Sequence, residues 1–482
     1  MTSLSSRCRT KIIATLGPAC DQETEMARLI SGGVDLFRLN FSHGELADKQ
    51  AQINRLRRLA REMGQVIGLL ADLQGPKIRI GDLPQGGLTL ISGQTISLTL
   101  ESPCGERSIP ISDRFLITDI QIGQHILIDD GQIELLVEGK TNSSLKCQIL
   151  MGGHLTSRKG LNLPDSQLAI PALTRKDEQD LDFILTEDFD FVALSFVRKG
   201  ADIEQLRRRI DERNSAIKII AKIEKPEAVE AFTEILAAAD GIMVARGDLG
   251  VEMKLEKVPL IQKNIIRACV AAGKPVITAT QMLESMISKP VPTRAETSDA
   301  ANAILDGSDA LMLSGETAIG EFPWEAVRVL TRIAGEVERD LYANRNCAAL
   351  NLENLTGKGN RAIDEAIAQA ACRTALTVRA ELIVAFTQTG STARLLAKNR
   401  PLVPVLALTP SVRVQQQLTL LHGVRSLAID MQADTESLIR AAEETILAHN
   451  LLQPGAIIVI TLGSPVSDPG ATNLIKVQRL SR

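Results

Sequence analysis

A lysine and a glutamate close an isoleucine-rich segment near the middle of the chain. Residues 217–223 have the composition of a strand buried on both faces, and Pro226 ends the run. Lys222 and Glu224 are two residues apart, so on a strand both side chains point to the same side. Taken in isolation, a lysine and a glutamate in this arrangement are most simply a salt bridge that closes a barrel mouth. Similar polar groups at the ends of neighbouring predicted strands favour a functional site.

Four other predicted strands also end in polar side chains. These side chains belong to Arg38, Asn40, Ser42, Asp72, Lys77, Arg79, Asp248 and Thr280. Cations in this number suit phosphate groups, and two carboxylates on adjacent strands suit Mg²⁺. Gly247 would let backbone N–H groups approach an anionic ligand closely. The set predicts phosphoryl transfer, in which positioning and charge neutralisation provide most of the catalysis.

Several other kinds of site have no support in the sequence. The chain has no Gly-x-x-x-x-Gly-Lys-Ser/Thr and no Gly-x-Gly-x-x-Gly motif, and it has no His-Glu-x-x-His motif for zinc hydrolysis. His43 is the only histidine near the predicted site, where a nucleotide contact and a plain loop cap would explain it equally well.

Composition is that of a globular protein in a reducing compartment. The chain has 482 residues, of which 44% are hydrophobic, and its net charge of −4 provides no basic field for nucleic acid. The basic runs at 55–58 and 207–209 are expected to be solvated helix faces. Seven scattered cysteines without a Cys-x-x-Cys motif predict free thiols and a cytoplasmic location. No signal peptide and no bilayer-spanning apolar run are present, so no membrane partner is expected.

The predicted elements indicate an α/β fold with three parts. Alternating strand and helix signals predict a (β/α)8 barrel, with strands at 11–16, 34–39, 66–72, 189–196, 217–223, 241–245, 275–280 and 310–313. Short alternating runs predict a small all-β barrel inserted as a lid, and an open α/β domain is expected after a linker at 346–361. The predicted domains are 1–79 with 172–345 for the barrel, 80–171 for the lid, and 346–482 for the C-terminal regulatory and oligomerisation domain.

These motifs resemble those of the pyruvate kinase family from end to end. The similar segments are 38–44, 217–229, 243–252, 278–286, 292–296 and 313–318. The resemblance, to the bacterial type, implies Mg²⁺-dependent (or Mn²⁺-dependent) phosphoryl transfer from phosphoenolpyruvate to ADP, which yields pyruvate and ATP at the last step of glycolysis. It also implies a cytoplasmic homotetramer under allosteric control.

The resemblance further implies roles for single residues around phosphoenolpyruvate. Lys222 would stabilise the phosphoryl group in transfer, and Glu224 with Asp248 would hold Mg²⁺. The backbone amides of Gly247 and Asp248, together with Thr280, would bind the substrate carboxylate. Thr280 would also orient the water that protonates the enolate.

A second set of implied roles concerns the phosphate in transfer and the nucleotide. Arg38 and Arg79 would contact the transferred phosphate, and Arg79 would also face the nucleotide. Asn40 and His43 would lie towards the nucleotide as well. Lys159 of the lid would swing over ATP when the lid closes and excludes water.

One departure from the family concerns potassium. The family's K⁺ cage corresponds to Asn40, Ser42, Asp72 and the Leu73 carbonyl, but its usual strand-3 glutamate is Lys77 here, as in potassium-independent members. Two like charges about 5 Å apart repel by several kcal/mol at an effective dielectric near 20, enough to empty a weak K⁺ site. We therefore expect Lys77 to replace K⁺, so that no added monovalent cation is required.

The C-terminal region contains a hydroxyl-rich segment that resembles the family's effector-phosphate loop. It consists of Thr387, Gln388, Thr389, Gly390, Ser391 and Thr392. These residues could hold the phosphate of a sugar phosphate or nucleotide effector at a helix N-terminus, or could form a simple strand–helix turn.

Two other functions share some of these features. A Mg²⁺-dependent enolate lyase would use the same two carboxylates but has no need of Lys159 and a lid. A degenerate relative would bind a ligand without catalysis, which the intact Lys222, Glu224, Asp248 and Thr280 argue against.

Overall fold

The structure is a computed structural model of the chain, and it describes residues 8–100, 108–166, 171–343, 360–463 and 472–481. The predicted linker at 346–361 lies outside these residues except at its last two positions. The described residues form a closed barrel of parallel strands, an inserted set of sheets, and a separate sheet near the C-terminus.

The barrel begins with three strands that alternate with two helices. These elements are β1 (Lys11–Thr15), α1 (Glu23–Gly32), β2 (Leu36–Asn40), α2 (Leu46–Glu62) and β3 (Gly68–Asp72). Every residue of β1 and β3 is buried, which explains their unbroken apolar runs. Helix α1 ends at Gly33, whose φ of 113° is a left-handed conformation that favours glycine.

The inserted region is an antiparallel-rich unit with its own core of aliphatic side chains. Its elements are β4 (Leu88–Thr89), β5 (Thr95–Thr99), β6 (Ser108–Pro110), α3 (Arg114–Asp119), β7 (His125–Ile128), β8 (Ile133–Lys140), β9 (Ser144–Met151), β10 (His154–Leu155) and β11 (Leu161–Asn162). Six of the strands form one sheet in the order β11-β7-β8-β9-β5-β6, and β4 pairs with β10. The prediction of an all-β insert misses α3, because its six residues are too few for a helical period to stand out.

The second part of the barrel contributes five strands. Its elements are α4 (Arg175–Thr186), β12 (Phe191–Leu194), α5 (Gly200–Glu212), β13 (Lys218–Ile223), α6 (Pro226–Glu230), α7 (Phe232–Ala238), β14 (Gly241–Ala245), α8 (Arg246–Glu252), α9 (Val258–Ala272), β15 (Val276–Ala279), α10 (Arg294–Leu305), β16 (Ala310–Leu313), α11 (Gly315–Ala318) and α12 (Pro323–Ala343). The ring closes in the order β1-β16-β15-β14-β13-β12-β3-β2. The predicted interrupted (β/α)8 barrel is confirmed.

The C-terminal region is an open sheet flanked by helices. Its elements are α13 (Asn360–Thr377), β17 (Leu382–Phe386), α14 (Ser391–Lys398), β18 (Val405–Thr409), α15 (Val412–Gln417), β19 (Val424–Ala428), α16 (Thr435–Ala448), β20 (Ile457–Leu462) and β21 (Leu474–Arg479). The strand order is β19-β18-β17-β20-β21, with only the β20–β21 pair antiparallel. The predicted α/β fold of this region is confirmed, but the sequence analysis misses β19, a short edge strand that contains Arg425.

The interior of the barrel is apolar and continues onto the C-terminal region. Ile13, Leu36 and Ile220 belong to a buried cluster inside the strands, and Leu420 of the C-terminal region belongs to the same cluster. Because this apolar layer fills the barrel, polar side chains are left to collect at the carboxyl ends of the strands.

Candidate active site

Lys222 lies at the centre of a buried polar network at the carboxyl ends of the barrel strands. Its Nζ is 2.8 Å from Glu224 Oε1, 3.3 Å from Asp72 Oδ1 and 2.7 Å from Ser195 Oγ. The side chains of Asp72 and Glu224 are only 2% and 1% exposed. The predicted pairing of Lys222 with Glu224 is therefore present, and it is part of a network that joins three strand ends.

Opposite charges keep this network ionised in spite of burial. Burial alone would lower the pKa of Lys222, but Asp72 and Glu224 outweigh it and hold that pKa above its ordinary value. Burial would likewise raise the pKa of Asp72, but Lys222 and then Arg38 hold it below its ordinary value. The result is a fixed ammonium with no loose proton, which suits charge stabilisation better than proton transfer.

Glu224 differs from Asp72 in having spare acceptor capacity. Its Oε2 accepts a 2.7 Å hydrogen bond from the Phe196 amide, whereas its buried Oε1 has the ammonium of Lys222, at 2.8 Å, as its partner. Burial and the neighbouring charge of Asp248 raise the pKa of Glu224. Two carboxylates that destabilise each other's charge at one barrel face are suited to a shared divalent cation.

The two carboxylates, Glu224 and Asp248, fit magnesium as ligands. Among the described residues no group of three or more His, Cys, Asp and Glu side chains is placed to hold a metal ion. Mg²⁺ is commonly bound by one or two protein carboxylates, with water and substrate oxygens completing its octahedron. Glu224 and Asp248 are therefore the residues that would hold it.

Arg38 extends the network towards the first strand. Its Nε donates a 2.7 Å hydrogen bond to Asp72 Oδ2, and its Nη1 lies 3.2 Å from Thr15 Oγ1. The guanidinium side chain is 14% exposed, so it is largely positioned by the protein while one edge remains accessible. This arrangement suits a phosphate group that approaches the mouth.

Thr280 and Gly247 are close together where the segments that follow β15 and β14 meet, and the backbone at Thr280 is strained. Thr280 has a φ of 75°, and its carbonyl accepts a 2.7 Å hydrogen bond from Arg246 Nη2. Arg246 Nη1 in turn donates to Asp299 at 2.6 Å, so α10 supports this loop. A Cβ atom on Gly247 would lie 2.6 Å from Thr280 Cγ2, which explains glycine at this position.

Comparisons with known proteins agree along the whole chain. Residues 7–327 match the family described as pyruvate kinase, barrel domain, and residues 365–478 match pyruvate kinase, alpha/beta domain. Pyruvate kinase 2 of Synechocystis sp. is 43% identical over 98% of this chain and 79% of its own length. Pyruvate kinase of Sporosarcina psychrophila is 42% identical over 97% of this chain and 80% of its own length.

A solved structure shows the same relationship in three dimensions. The crystal structure of a pyruvate kinase from Cryptosporidium parvum has a TM-score of 0.92 at 38% identity and covers 99% of this chain and 97% of its own. The chain belongs to the pyruvate kinase family. It is accordingly an enzyme of the phosphotransferase class, as the sequence motifs predict.

The residues that correspond to the family's K⁺ cage are already engaged within the protein. Asn40 Oδ1 accepts a hydrogen bond from the Ser42 amide at 3.0 Å, and the Leu73 carbonyl accepts one from Ser195 at 2.7 Å. Both oxygens of Asp72 face cations, as described above. Lys77 does not pair with Asp72; in the described part of the chain its single ion pair is with Asp248 Oδ1 at 3.9 Å.

Two of the residues predicted to face the nucleotide, Arg79 and Lys159, have partners in the lid. Arg79 Nη1 donates to the Arg158 carbonyl at 3.0 Å, and Lys159 pairs with Asp129 at 2.8 Å, so both contact the lid region. Partial burial followed by the charges of Arg79, Lys49 and other cations lowers the pKa of His43. His43 is therefore a neutral group within a cationic rim.

Three site residues are absent from the sequence-based set. Ser195, at the end of β12, bonds both Lys222 and Leu73, and the rule that strand ends carry function would have found it. Glu252 of α8 is 1% exposed; its Oε1 lies 2.6 Å from Lys225 Nζ and accepts a 2.8 Å bond from Asn162 of the lid. Lys225 and Glu252 are 27 residues apart, and no local pattern links them.

The predicted effector segment forms the turn between β17 and α14. The Gly390 amide donates to Thr387 Oγ1 at 2.8 Å, and Thr389 Oγ1 lies 3.2 Å from Ser391 Oγ. Thr392 is buried and bonds Thr472 at 2.7 Å, so its hydroxyl is directed into the protein. The segment therefore has the local bonds of a strand–helix turn.

One sequence-based expectation about the surface is wrong. Arg57, in a basic run expected to be solvated, has a side chain only 14% exposed and pairs with the buried Asp190 at 2.9 Å. A basic helical run does not show which of its members faces the barrel.

The cysteines in the described part of the chain are free thiols, namely Cys8, Cys20, Cys147, Cys269 and Cys372. Among the described helices none has the length and apolarity needed to cross a membrane.

The close approach of Gly247 to Thr280 generates a prediction. Gly247→Ala should lower kcat at least about tenfold, because the new methyl group displaces Thr280, which the sequence analysis predicts to bind the substrate. Steady-state kinetics and the thermal unfolding midpoint should be measured together. Gly335→Ala is the matched control, since its Cβ meets nothing within 4 Å and should leave kcat unchanged. Normal turnover in Gly247→Ala would show that the threonine position is not critical.

Proposed function

We propose that this chain transfers the phosphoryl group of phosphoenolpyruvate to ADP in a Mg²⁺-dependent reaction that yields pyruvate and ATP and requires no added potassium. The observation that carries the proposal is the ammonium of Lys222, which is fixed by Glu224 at 2.8 Å and Asp72 at 3.3 Å in a buried site. A cation held in this way needs little reorganisation as negative charge shifts during phosphoryl transfer.

Lys222 and Arg38 contribute charge stabilisation around the phosphoryl group. Their positions are set by the protein, because Asp72 holds both through its two oxygens. Ser195 supplies a further hydrogen bond that orients the lysine. Arg79, which is attached to the lid segment, adds a second guanidinium towards the phosphates.

Glu224 and Asp248 bind the metal, and Mg²⁺ when bound supplies charge neutralisation for phosphate and carboxylate oxygens. The backbone amides of Gly247 and Asp248 belong to the first turn of α8, where N–H groups lack partners within the helix. Together with Thr280 they bind the substrate carboxylate. Thr280 also orients the water that delivers a proton to the enolate carbon.

The nucleotide contacts the part of the barrel mouth next to the end of β2. Asn40 ends β2 and the neutral imidazole of His43 lies on the loop that follows, and the nearby lysines and arginines offset the phosphate charge. Lys159 exchanges Asp129 for the nucleotide phosphates as the lid closes, which limits hydrolysis. Its side chain is 39% exposed, so the exchange needs no unfolding.

The charges at the cage support potassium independence. Lys77 is a fixed ammonium near Asp248, and its charge also contributes to the lowered pKa of His43, the neighbour of Ser42. The oxygens of Asn40, Asp72 and Leu73 already face protein donors or cations. A monovalent cation would therefore meet positive charge and few open ligands.

The proposal extends to organisation and regulation. The domain boundaries are 1–79 with 172–345, 80–171 and 346–482. Among the described strands the sheet changes between β3 and β4, between β11 and β12, and between β16 and β17, which supports this division. We further propose a homotetramer, a cytoplasmic location supported by the free thiols, and an effector phosphate bound at residues 387–392. The open hydroxyl groups of that segment are those of Thr389 and Ser391.

The direct test is pyruvate formation from phosphoenolpyruvate with and without ADP. Release that depends on ADP and produces equimolar ATP is expected. Pyruvate release from a larger keto acid without ADP would instead identify a lyase, and the absence of any turnover would identify a binding protein.

Lys222→Met preserves the length of the side chain and removes its charge. We expect kcat to fall at least about 10³-fold, because a positioned electrostatic group is lost, while Mg²⁺ affinity changes little. Lys218→Met, at the other end of β13, is the matched control and should retain normal turnover. A Lys222→Met enzyme with a tenth of normal activity would remove this residue from the mechanism.

Glu224→Gln and Asp248→Asn test the metal site. Each should raise the Mg²⁺ concentration for half-maximal activity at least about tenfold, since an amide is a weaker ligand for a hard cation. Glu230→Gln, on the exposed end of α6, should titrate like the parent. A variant of either site carboxylate that also titrates like the parent would assign that residue a structural role.

The potassium proposal is tested in buffer free of K⁺ and NH₄⁺, with tetramethylammonium as the salt. The parent enzyme should be fully active there. Lys77→Glu should lose most activity and recover part of it with K⁺, alone or combined with Leu73→Thr, whereas Lys77→Gln should not recover. Activation of the parent by K⁺ of tenfold or more would contradict the role given to Lys77.

A further inference from the structure

Glu252 connects three segments around the candidate active site through a single buried oxygen. Its side chain, at the C-terminal end of α8, is 1% exposed. Its Oε1 accepts a 2.6 Å hydrogen bond from Lys225 Nζ and a 2.8 Å hydrogen bond from the side-chain amide of Asn162. Lys225 belongs to the barrel, and Asn162 belongs to β11, the last strand of the lid. One carboxylate therefore ties the barrel, α8 and the lid together.

Both barrel ends of this contact lie next to residues that are proposed to hold Mg²⁺. Lys225 immediately follows Glu224, and Glu252 lies one helical turn after Asp248 on α8. A displacement of the Glu252 side chain is therefore transmitted to both metal-binding segments through a short length of backbone.

Helix α8 depends on few side chains for its orientation. It has only seven residues, and two of them, Leu249 and Glu252, are buried. A helix of this length has little stability of its own, so tertiary contacts must hold it in place. Glu252 Oε2 is buried and has no hydrogen-bond partner in the described part of the chain, so the buried carboxylate relies on the two bonds to Oε1.

The lid also lies against α8 at a second point, and it is not tightly packed there. A Cβ atom on Gly131, in the turn between β7 and β8, would lie 3.8 Å from Val251 Cγ1. A cavity of about 40 Å³ lies beside Glu252, with walls from the lid at Leu163 and from the barrel at Phe196. This gap leaves room for the lid to move, and the bond between the lid asparagine and Glu252 is a polar link that such a movement breaks.

We propose that Glu252 is a positioning residue that couples the lid to the metal site. While the lid is in contact, Asn162 and Lys225 together fix Glu252, and α8 holds Asp248 beside the segment that carries Glu224. When the lid moves away, the carboxylate loses one of its two donors and α8 loses an anchor, so the two metal-binding segments are less well aligned. The inference rests on the proposed metal ligands and deepens that proposal, because it makes metal affinity depend on the contact with the lid.

Hydrogen exchange followed by mass spectrometry, without ligands, tests the link from the lid to α8. Asn162→Ala removes the donor on the lid and leaves the pair of Lys225 and Glu252 in place. We expect amide exchange in residues 246–252 to accelerate at least about threefold, because the helix loses one of its few anchors. Asn142→Ala, at an exposed position in the lid, is the matched control and should leave exchange in that helix unchanged. Unchanged exchange of the helix in Asn162→Ala would overturn the proposal.

Metal binding provides a second readout that a merely structural role in the lid would not move. Glu252→Gln keeps an oxygen for Asn162 and removes the charge that pairs with Lys225. The Kd for Mn²⁺, measured from the electron paramagnetic resonance signal of the free ion, should rise at least about fivefold in Asn162→Ala and in Glu252→Gln, the range expected when a residue behind a metal ligand is lost. Glu256→Gln, at an exposed position just after α8, is the matched control and should bind Mn²⁺ like the parent.

Steady-state kinetics separate positioning from direct participation. In both variants the Mg²⁺ concentration for half-maximal activity should rise, whereas kcat at saturating Mg²⁺ should fall less than about threefold, because Glu252 does not contact the reacting atoms. A loss of kcat that saturating Mg²⁺ does not restore would contradict a positioning role.

Failure of this inference can be distinguished from failure of the proposed phosphoryl transfer, since exchange and Mn²⁺ binding are measured without turnover. Parent-like Mn²⁺ affinity in both variants would overturn the coupling even in a fully active enzyme. An inactive parent whose exchange and Mn²⁺ binding respond as expected would retain the coupling and contradict the proposed reaction. If Asn162→Ala fails to fold, Glu252→Gln provides the same measurements.

Discussion

Burial of the Lys222 ammonium among carboxylates is the interaction on which the rest of the barrel mouth depends. An isolated charge in this position would cost several kcal/mol, and it is tolerated because Asp72 and Glu224 lie within ion-pair distance. Lys222 lies in β13 and Glu224 follows that strand, whereas Asp72 ends β3, so the network forms only when β13, β12 and β3 lie side by side. Loss of either carboxylate would leave an uncompensated charge, whereas the complete set holds the ammonium rigidly in place.

The loops around this network are held by a second layer of charged contacts. Arg246 supports the strained backbone at Thr280 and is itself anchored to Asp299. On the opposite side, Glu252 joins Lys225 to Asn162 of the lid, so the barrel and the lid share a buried carboxylate. These contacts hold the loops around the network in place, as a preorganised site requires.

The far end of the barrel is joined to the C-terminal region by both apolar and polar contacts. Leu420 enters the apolar interior of the barrel, and Lys11 donates a 2.8 Å hydrogen bond to the Val424 carbonyl. Asp309 accepts from Arg400 and from the His422 amide, which ties β16 to the same region.

The sequence by itself determined the barrel, the inserted sheets, the C-terminal α/β region and most polar strand ends, because hydrophobic period and turn residues are local properties of the chain. It did not reveal α3 or β19, which are too short or too polar for a period to be visible. Only the tertiary structure decided that Arg57 is buried, that Lys77 faces Asp248, and that Ser195 and Glu252 complete the site. Each of these outcomes depends on which residues meet across the closed ring or across the lid. Such contacts are set by packing between segments that are distant in the sequence, so the spacing of residues along the chain does not predict them.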